Sequence, residues 1–183
     1  MVVTLILVAI SVLIVFGLIA IYNRLVRNRN LAEEGWSGVD VQLKRRSDLI
    51  PNLIETVKGY MKYEKDLLSK VTELRSKSLT VQNMGEKGKL ENALSRSLAN
   101  LFAVAENYPD LKANQNFLDL QKQLADIENE IQMARRYYNG TARNLNILIE
   151  SFPSSIVAGM FHFTKKDYFE IDESEKAIPK VAF

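Results

Sequence analysis

The chain of 183 residues contains no cysteine and a single histidine, His162. Without cysteine there is no disulfide, thiolate-bound zinc, iron–sulfur cluster or thiol nucleophile. One histidine excludes multi-histidine metal sites and leaves a histidine-dependent triad one candidate, which sits in Phe161-His162-Phe163 without an evident carboxylate partner. No glycine-rich phosphate-binding motif occurs, and no Glu-x-x-His of the kind that carboxylate-bridged metal sites use in helical bundles. Neither sign of charge is in excess. The 24 basic and 22 acidic side chains leave a net charge of +2, which does not single out nucleic acid as a partner. The expectation is a protein without catalytic residues, cofactor or metal.

Charge is also missing from one place. Residues 2–22, VVTLILVAISVLIVFGLIAIY, are uncharged, and the first charged side chain is Arg24. As a helix this run spans about 30 Å, the thickness of a bilayer's hydrocarbon. The missing basic leader, the length of the run and the lack of a small-x-small site favour an uncleaved anchor over a signal peptide. Arg24, Arg27 and Arg29 follow at once, then Lys44, Arg45 and Arg46. Basic flanks stay cytoplasmic. The expected placement is therefore a single pass through the bacterial inner membrane, with the N-terminus outside and the body cytoplasmic. Arg24, Arg27 and Arg29 are also candidates for membrane-surface contact, each worth about 1 kcal/mol beside anionic lipid.

Proline occurs only at 51, 109, 153 and 179, and the body has no alternating strand pattern. The spacing of apolar residues predicts helices. Phe117, Leu120, Leu124, Ile127, Ile131, Ala134, Tyr138, Thr141, Leu145, Leu148 and Phe152 alternate by three and four, about five heptads on one face. Pro153 ends that helix. An earlier series from Trp36 through Val39, Leu43, Arg46, Ile50, Leu53, Val57, Tyr60, Glu64, Leu67 and Val71 to Leu74 keeps phase across Pro51. Unbroken phase favours a kink there, whereas Ser47 and Asp48 as caps favour a break. A shorter series, Leu90, Leu94, Ser97, Leu101 and Val104, lies between a glycine linker at residues 85–88 and the Tyr108-Pro109-Asp110 turn. Gly35 and Gly38 make a joint near Trp36 plausible. Short connections predict an all-α, antiparallel up-and-down bundle behind the membrane helix, with three long helices, or four if the first breaks near Pro51. The expected organisation is an anchor at 1–23, a stalk and bundle at 24–153, and an aromatic and acidic segment at 154–183. The last helix should overshoot the middle one, leaving apolar stripe for a further subunit to cover.

Arg46 and Glu64 occupy apolar register positions, either on a seam beside neighbouring helices or as polar residues that set register. Tyr138 and Thr141 bring hydroxyls to the long face, with Ser97 as a possible partner layer. The aromatics Phe161, Phe163, Tyr168 and Phe169 are expected to fold back onto the bundle, ahead of acidic Glu170, Asp172, Glu173 and Glu175.

These residues fall into a recognisable order. Tyr22-Asn23-Arg24-Leu25-Val26-Arg27, Val41-Gln42-Leu43-Lys44-Arg45-Arg46, Ile50-Pro51-Asn52-Leu53 and Val57-Lys58-Gly59-Tyr60 come first. Ala105-Glu106-Asn107-Tyr108-Pro109-Asp110-Leu111-Lys112-Ala113-Asn114, Ala134-Arg135-Arg136-Tyr137-Tyr138-Asn139, Phe152-Pro153 and Tyr168-Phe169-Glu170 follow. Over nearly its whole length the chain resembles the LemA family of bacterial membrane-anchored helical proteins. The resemblance implies an N-terminal membrane helix and a cytoplasmic, usually four-helical bundle, and it brings no established catalytic residue, cofactor or substrate. Arg45, Arg46, Glu64, Asp110, Arg135, Arg136, Tyr138 and Asn139 are the candidate structural or interaction positions. The expected function is a non-enzymatic membrane-anchored scaffold or adaptor that self-associates and presents its bundle to an unknown protein partner. The alternative is a lipid-binding protein that forms arrays on the bilayer.

Overall fold

The computed structural model describes residues 1–81 and 83–169, all of them helix, turn or connecting segment. Among the described residues six helices follow in order: α1 (Val2–Lys58), α2 (Lys65–Thr80), α3 (Met84–Ala105), α4 (Pro109–Lys112), α5 (Gln115–Glu150) and α6 (Ser154–Met160). Two compact units form. One combines Met1–Ser37 with Arg136–Tyr168, and the other holds Gly38–Arg135 together with Phe169. The acidic residues expected after Phe169 lie outside the described residues.

In the second unit, segments of α1 and α5 share one core with α2, α3 and α4. Ile50, Leu53, Val57, Val71, Leu101, Leu111 and Phe117 are all buried in it. Each such side chain contributes about 1.5–3 kcal/mol by leaving water. The Phe102 and Phe117 rings meet edge to face at 6.1 Å. Helix ends are set by local chemistry. Asn83 caps α3 by accepting from the Glu86 N–H at 3.0 Å, and Asn114 accepts from the Phe117 N–H at 3.1 Å at the start of α5.

α1 runs through Pro51 without interruption. Proline has no N–H, so the Ser47 carbonyl one turn earlier loses its helical partner. Arg75 of α2 fills the gap, its Nε donating to that carbonyl at 2.7 Å. The heptad series breaks further on, between Lys58 and Lys65, where Tyr60 and Met61 both turn their N–H groups onto the Val57 carbonyl. The first helix therefore ends at residues 59–64 and not at Pro51.

Other expectations shift as well. Near Trp36, α1 is helical through Gly35 and Gly38, and the boundary between the two units falls between Ser37 and Gly38. Gly35 is small for a packing reason: a Cβ there would stand 3.1 Å from the Tyr138 Cα of α5. Gly85 and Gly88 belong to α3 and not to a linker, and Gly88 makes room for the Phe169 ring. In α3 the buried register is Glu91, Leu94, Leu98, Leu101 and Ala105, one step from the series read through Leu90 and Ser97. The overshoot of α5 is not bare. Tyr138, Ala142 and Leu145 are buried in the first unit, where Leu25 and Ala32 of α1 are buried too. Phe152, expected to close the apolar face, is 82% exposed beyond the end of α5.

Replacing Arg75 with Ala should cost about 1–3 kcal/mol, the desolvation of an unmatched carbonyl. In a Pro51→Ala background the cost should shrink, because the substituted residue restores the missing N–H. Chemical denaturation of the full chain, followed by circular dichroism, measures both; an equal cost in the two backgrounds contradicts this role of Arg75.

Candidate functional site

Two polar constructions stand out, one in each unit. In the second unit the Arg46 side chain is 1% exposed. A guanidinium so deep in a core requires matched acceptors, because an unpaired buried charge costs several kcal/mol (about 3–5 when one partner is removed). Three helices supply or fix them. Nη2 bonds the Glu91 carboxylate and, at 3.3 Å, the Glu91 carbonyl on α3. Nη1 donates to Glu128 Oε2 of α5 at 2.5 Å and to Ser95 Oγ at 2.6 Å. Ser95 donates onward to the same Glu128 oxygen at 3.1 Å. From α2, Ser78 Oγ donates to the other oxygen of Glu91. One cation thus meets two carboxylates and one hydroxyl, a second hydroxyl braces Glu91, and both hydroxyls act on a carboxylate. The arrangement holds helices, and its carboxylate oxygens are engaged by neighbouring donors.

The sequence pointed to Arg46 by its register, but not to its partners. Glu91 was hidden because an acidic residue does not score as apolar, although it lies in phase with Leu94, Leu98, Leu101 and Ala105. Its signal is the arginine itself: a cation in an apolar stripe calls for carboxylates in the stripes it faces.

The remaining candidate positions divide. Arg135 is buried, donates to Asn92 Oδ1 at 3.0 Å and lies over the Phe169 ring at 4.2 Å. Glu64 immediately precedes α2 and accepts from the Tyr108 hydroxyl at 3.3 Å. Burial, then the Glu64 charge, raise the Tyr108 phenol above its usual pKa. Arg45 is exposed and bonds Gln42 along its own helix. Asp110 is exposed in the first turn of α4, Arg136 is exposed on α5, and Asn139 is half-buried.

In the first unit, the segment after α6 is strapped along α5. Asn146 pairs with both backbone groups of Lys166 at 2.9 Å. The Tyr138 hydroxyl donates to the Asp167 carbonyl at 2.7 Å, while Thr141 bonds carbonyls of its own helix. The Tyr138 ring meets Trp36 at 5.5 Å. Burial, and secondarily the charge of Asp167, push the Tyr138 phenol up to about 12. The chain turns out of α6 at His162, whose φ of 54° is left-handed, as a helix-ending residue often is. Phe161 and Phe163 then meet Tyr22 of α1 at 4.7 and 6.0 Å, and Arg29 covers Phe163 at 5.5 Å. Arg24, Arg27 and Arg29 are exposed along the same stretch of α1. The expected fold-back of Phe161 and Phe163 is present, against α1 beside the apolar run. Asn146, which the sequence did not single out, secures it.

Known proteins resemble this chain over most of its length. The profile of the LemA family matches residues 35–183. Protein LemA of Metamycoplasma hominis is 28% identical over 155 residues, covering 84% of this chain and 71% of that protein. Magnetosome protein MamQ of Magnetospirillum gryphiswaldense is 23% identical over 174 residues, covering 81% of this chain and 64% of that protein. Magnetosome protein MamQ 2 of Paramagnetospirillum magneticum is 24% identical over 194 residues, covering 90% and 71%. None of these names is that of an enzyme.

Arg46→Met leaves Glu91 buried with its main counter-charge gone, and should cost about 3–5 kcal/mol in chemical denaturation. Adding Glu91→Leu removes the second charge and should recover most of that loss; a double variant as weak as the single one contradicts the pairing. At Tyr138, folding favours the neutral phenol, so its contribution is intact below the ordinary value of 10.0 and lost as pH climbs through about 12. Alkaline absorbance titration should show a late tyrosinate phase that Tyr138→Phe removes. An unchanged upper end of the titration contradicts it.

Proposed function

This chain belongs to the LemA family, and from that premise we propose that it is a non-enzymatic scaffold or adaptor, held at a membrane by α1, that self-associates and presents its helices to protein partners. The observation that carries this reading is the apolar start of α1. Val3, Leu13 and Phe16 are each about two-thirds or more exposed, and the helix is long and apolar enough to cross a bilayer. Such a surface is stable only in lipid or under other protein. The exposed arginines at 24, 27 and 29 support an outside N-terminus and a cytoplasmic body. The short connections at residues 59–64 and 81–83 support an antiparallel bundle. In this reading residues 1–23 anchor, 24–153 form stalk and bundle, and 154–183 close the chain.

Presentation to partners draws on an open groove where Ile54, Met61 and Leu68 meet a rim of Lys58, Lys62 and Lys65. Its chemistry suits an acidic segment with an apolar anchor. Residues 170–175, EIDESE, have that pattern within the chain itself, which supports self-association. The alternative, arrays built on lipid, draws on Arg24, Arg27 and Arg29 instead.

Sedimentation of the full chain in detergent should show oligomers at micromolar concentration. Reversing Lys58, Lys62 and Lys65 to Glu should dissociate them while leaving the helical content intact. A monomer at every concentration contradicts self-association; assembly that appears only on anionic vesicles and ignores the reversal favours the lipid-array reading.

A further inference from the structure

After its opening serines, Ser154 and Ser155, α6 is apolar, running Ile156-Val157-Ala158-Gly159-Met160. Its inner residues Val157 and Ala158 are buried with Leu25 and Leu145. Its outer residues Ile156 and Met160, with Phe161 just beyond, are 55%, 66% and 56% exposed. Large apolar side chains exposed together on so short an element belong under lipid or under other protein. The sequence around it agrees. From Ser151 to Phe163 no side chain carries a fixed charge, and the run lies between Glu150 and the pair Lys165 and Lys166.

Its position is tied to the membrane segment. Leu18, Ile19 and Tyr22 of α1 line one apolar cleft with Val157, Met160 and Phe161. The Tyr22 and Phe161 rings lie 4.7 Å apart, so they share one depth to within a ring's width. Tyr22 ends the uncharged run, where an interfacial aromatic stands. Phe161 stands at that level too. Just past it, Arg24 and Arg27 are exposed on α1, at the height where guanidinium groups reach lipid phosphates.

We propose that α6 and Phe161 form a second membrane contact, an uncharged wedge seated at the headgroup–acyl boundary of a phospholipid bilayer beside the last turns of the membrane helix. Ile156, Met160 and Phe161 enter the acyl region, while Arg24 and Arg27 meet anionic headgroups. Continuity with the apolar surface of α1 selects lipid over a second copy, because the cleft opens onto Leu18 and Ile19. The proposal rests on residues 2–22 spanning the membrane, and the test separates the two.

The chain has no cysteine, so single cysteines at positions 156, 160 and 161, all exposed, can carry an environment-sensitive fluorophore. Position 12 reports the span and position 63, at the exposed Tyr63, reports water. The full-length protein is reconstituted into vesicles of phosphatidylcholine and phosphatidylglycerol with a nitroxide attached high on the acyl chain. Labels at 156, 160 and 161 should emit blue-shifted light and lose most of it to the nitroxide, about 5–10 Å below the surface as interfacial helices lie. Position 12 should be shielded from water and position 63 should not. Water-like emission at 156, 160 and 161 with position 12 in hydrocarbon overturns the wedge and leaves the anchor standing. Water-like emission at position 12 overturns both. Labels shielded from water yet out of the nitroxide's reach mean that protein covers this face, and also overturn the proposal.

Discussion

A single guanidinium sets the terms for the second unit. Arg46 lies where the heptad pattern of α1 asks for an apolar side chain, and burial there is tolerable only with carboxylates at hand. Glu91 and Glu128 meet it from α3 and α5, Ser78 adds α2, and Ser95 bridges the guanidinium and Glu128. Apolar contacts among these helices would tolerate a shift along their axes at modest cost. The charges would not, because one heptad of slip strands a buried carboxylate. Register is therefore fixed by polar geometry, and the surrounding leucines supply the bulk of the burial.

The proline at 51 follows the same logic on a smaller scale. A donor missing from α1 is replaced by Arg75 from α2, so a local defect becomes a contact between helices. In the first unit, Asn146 and Tyr138 take up backbone groups of Lys166 and Asp167, which ties an extended segment to α5. In each case a polar side chain holds backbone or charge in place. The surfaces left for other molecules are apolar: the start of α1, the groove beside α2, and the outer side of α6.

The helical class, the long α5 and the apolar first segment were legible in the sequence because periodicity and the absence of charge report burial directly. The fold-back of the aromatics was legible too. What stayed hidden depends on partners distant in sequence. Glu91 reads as a surface residue until Arg46 is set opposite it. Gly35 reads as a helix weakener until the Tyr138 backbone is seen 3.1 Å from where its Cβ would be. Pro51 reads as a kink or a break until Arg75 is placed on the Ser47 carbonyl. The helix end after Lys58 was masked by Glu64, Leu67, Val71 and Leu74 continuing in phase after the turn. The buried charges around Arg46 are engaged between helices.

The central claim is that the buried charge cluster, not the apolar contacts alone, organises the helices of the second unit. Amide hydrogen exchange of the full chain in a bilayer disc tests it most directly. Outside residues 2–22, the slowest amides should lie in α1 around Arg46, in α3 around Glu91 and in α5 around Glu128, and they should open together. Exchange at these positions as fast as at the ends of α2 and α3, with the slowest amides elsewhere, would contradict the account.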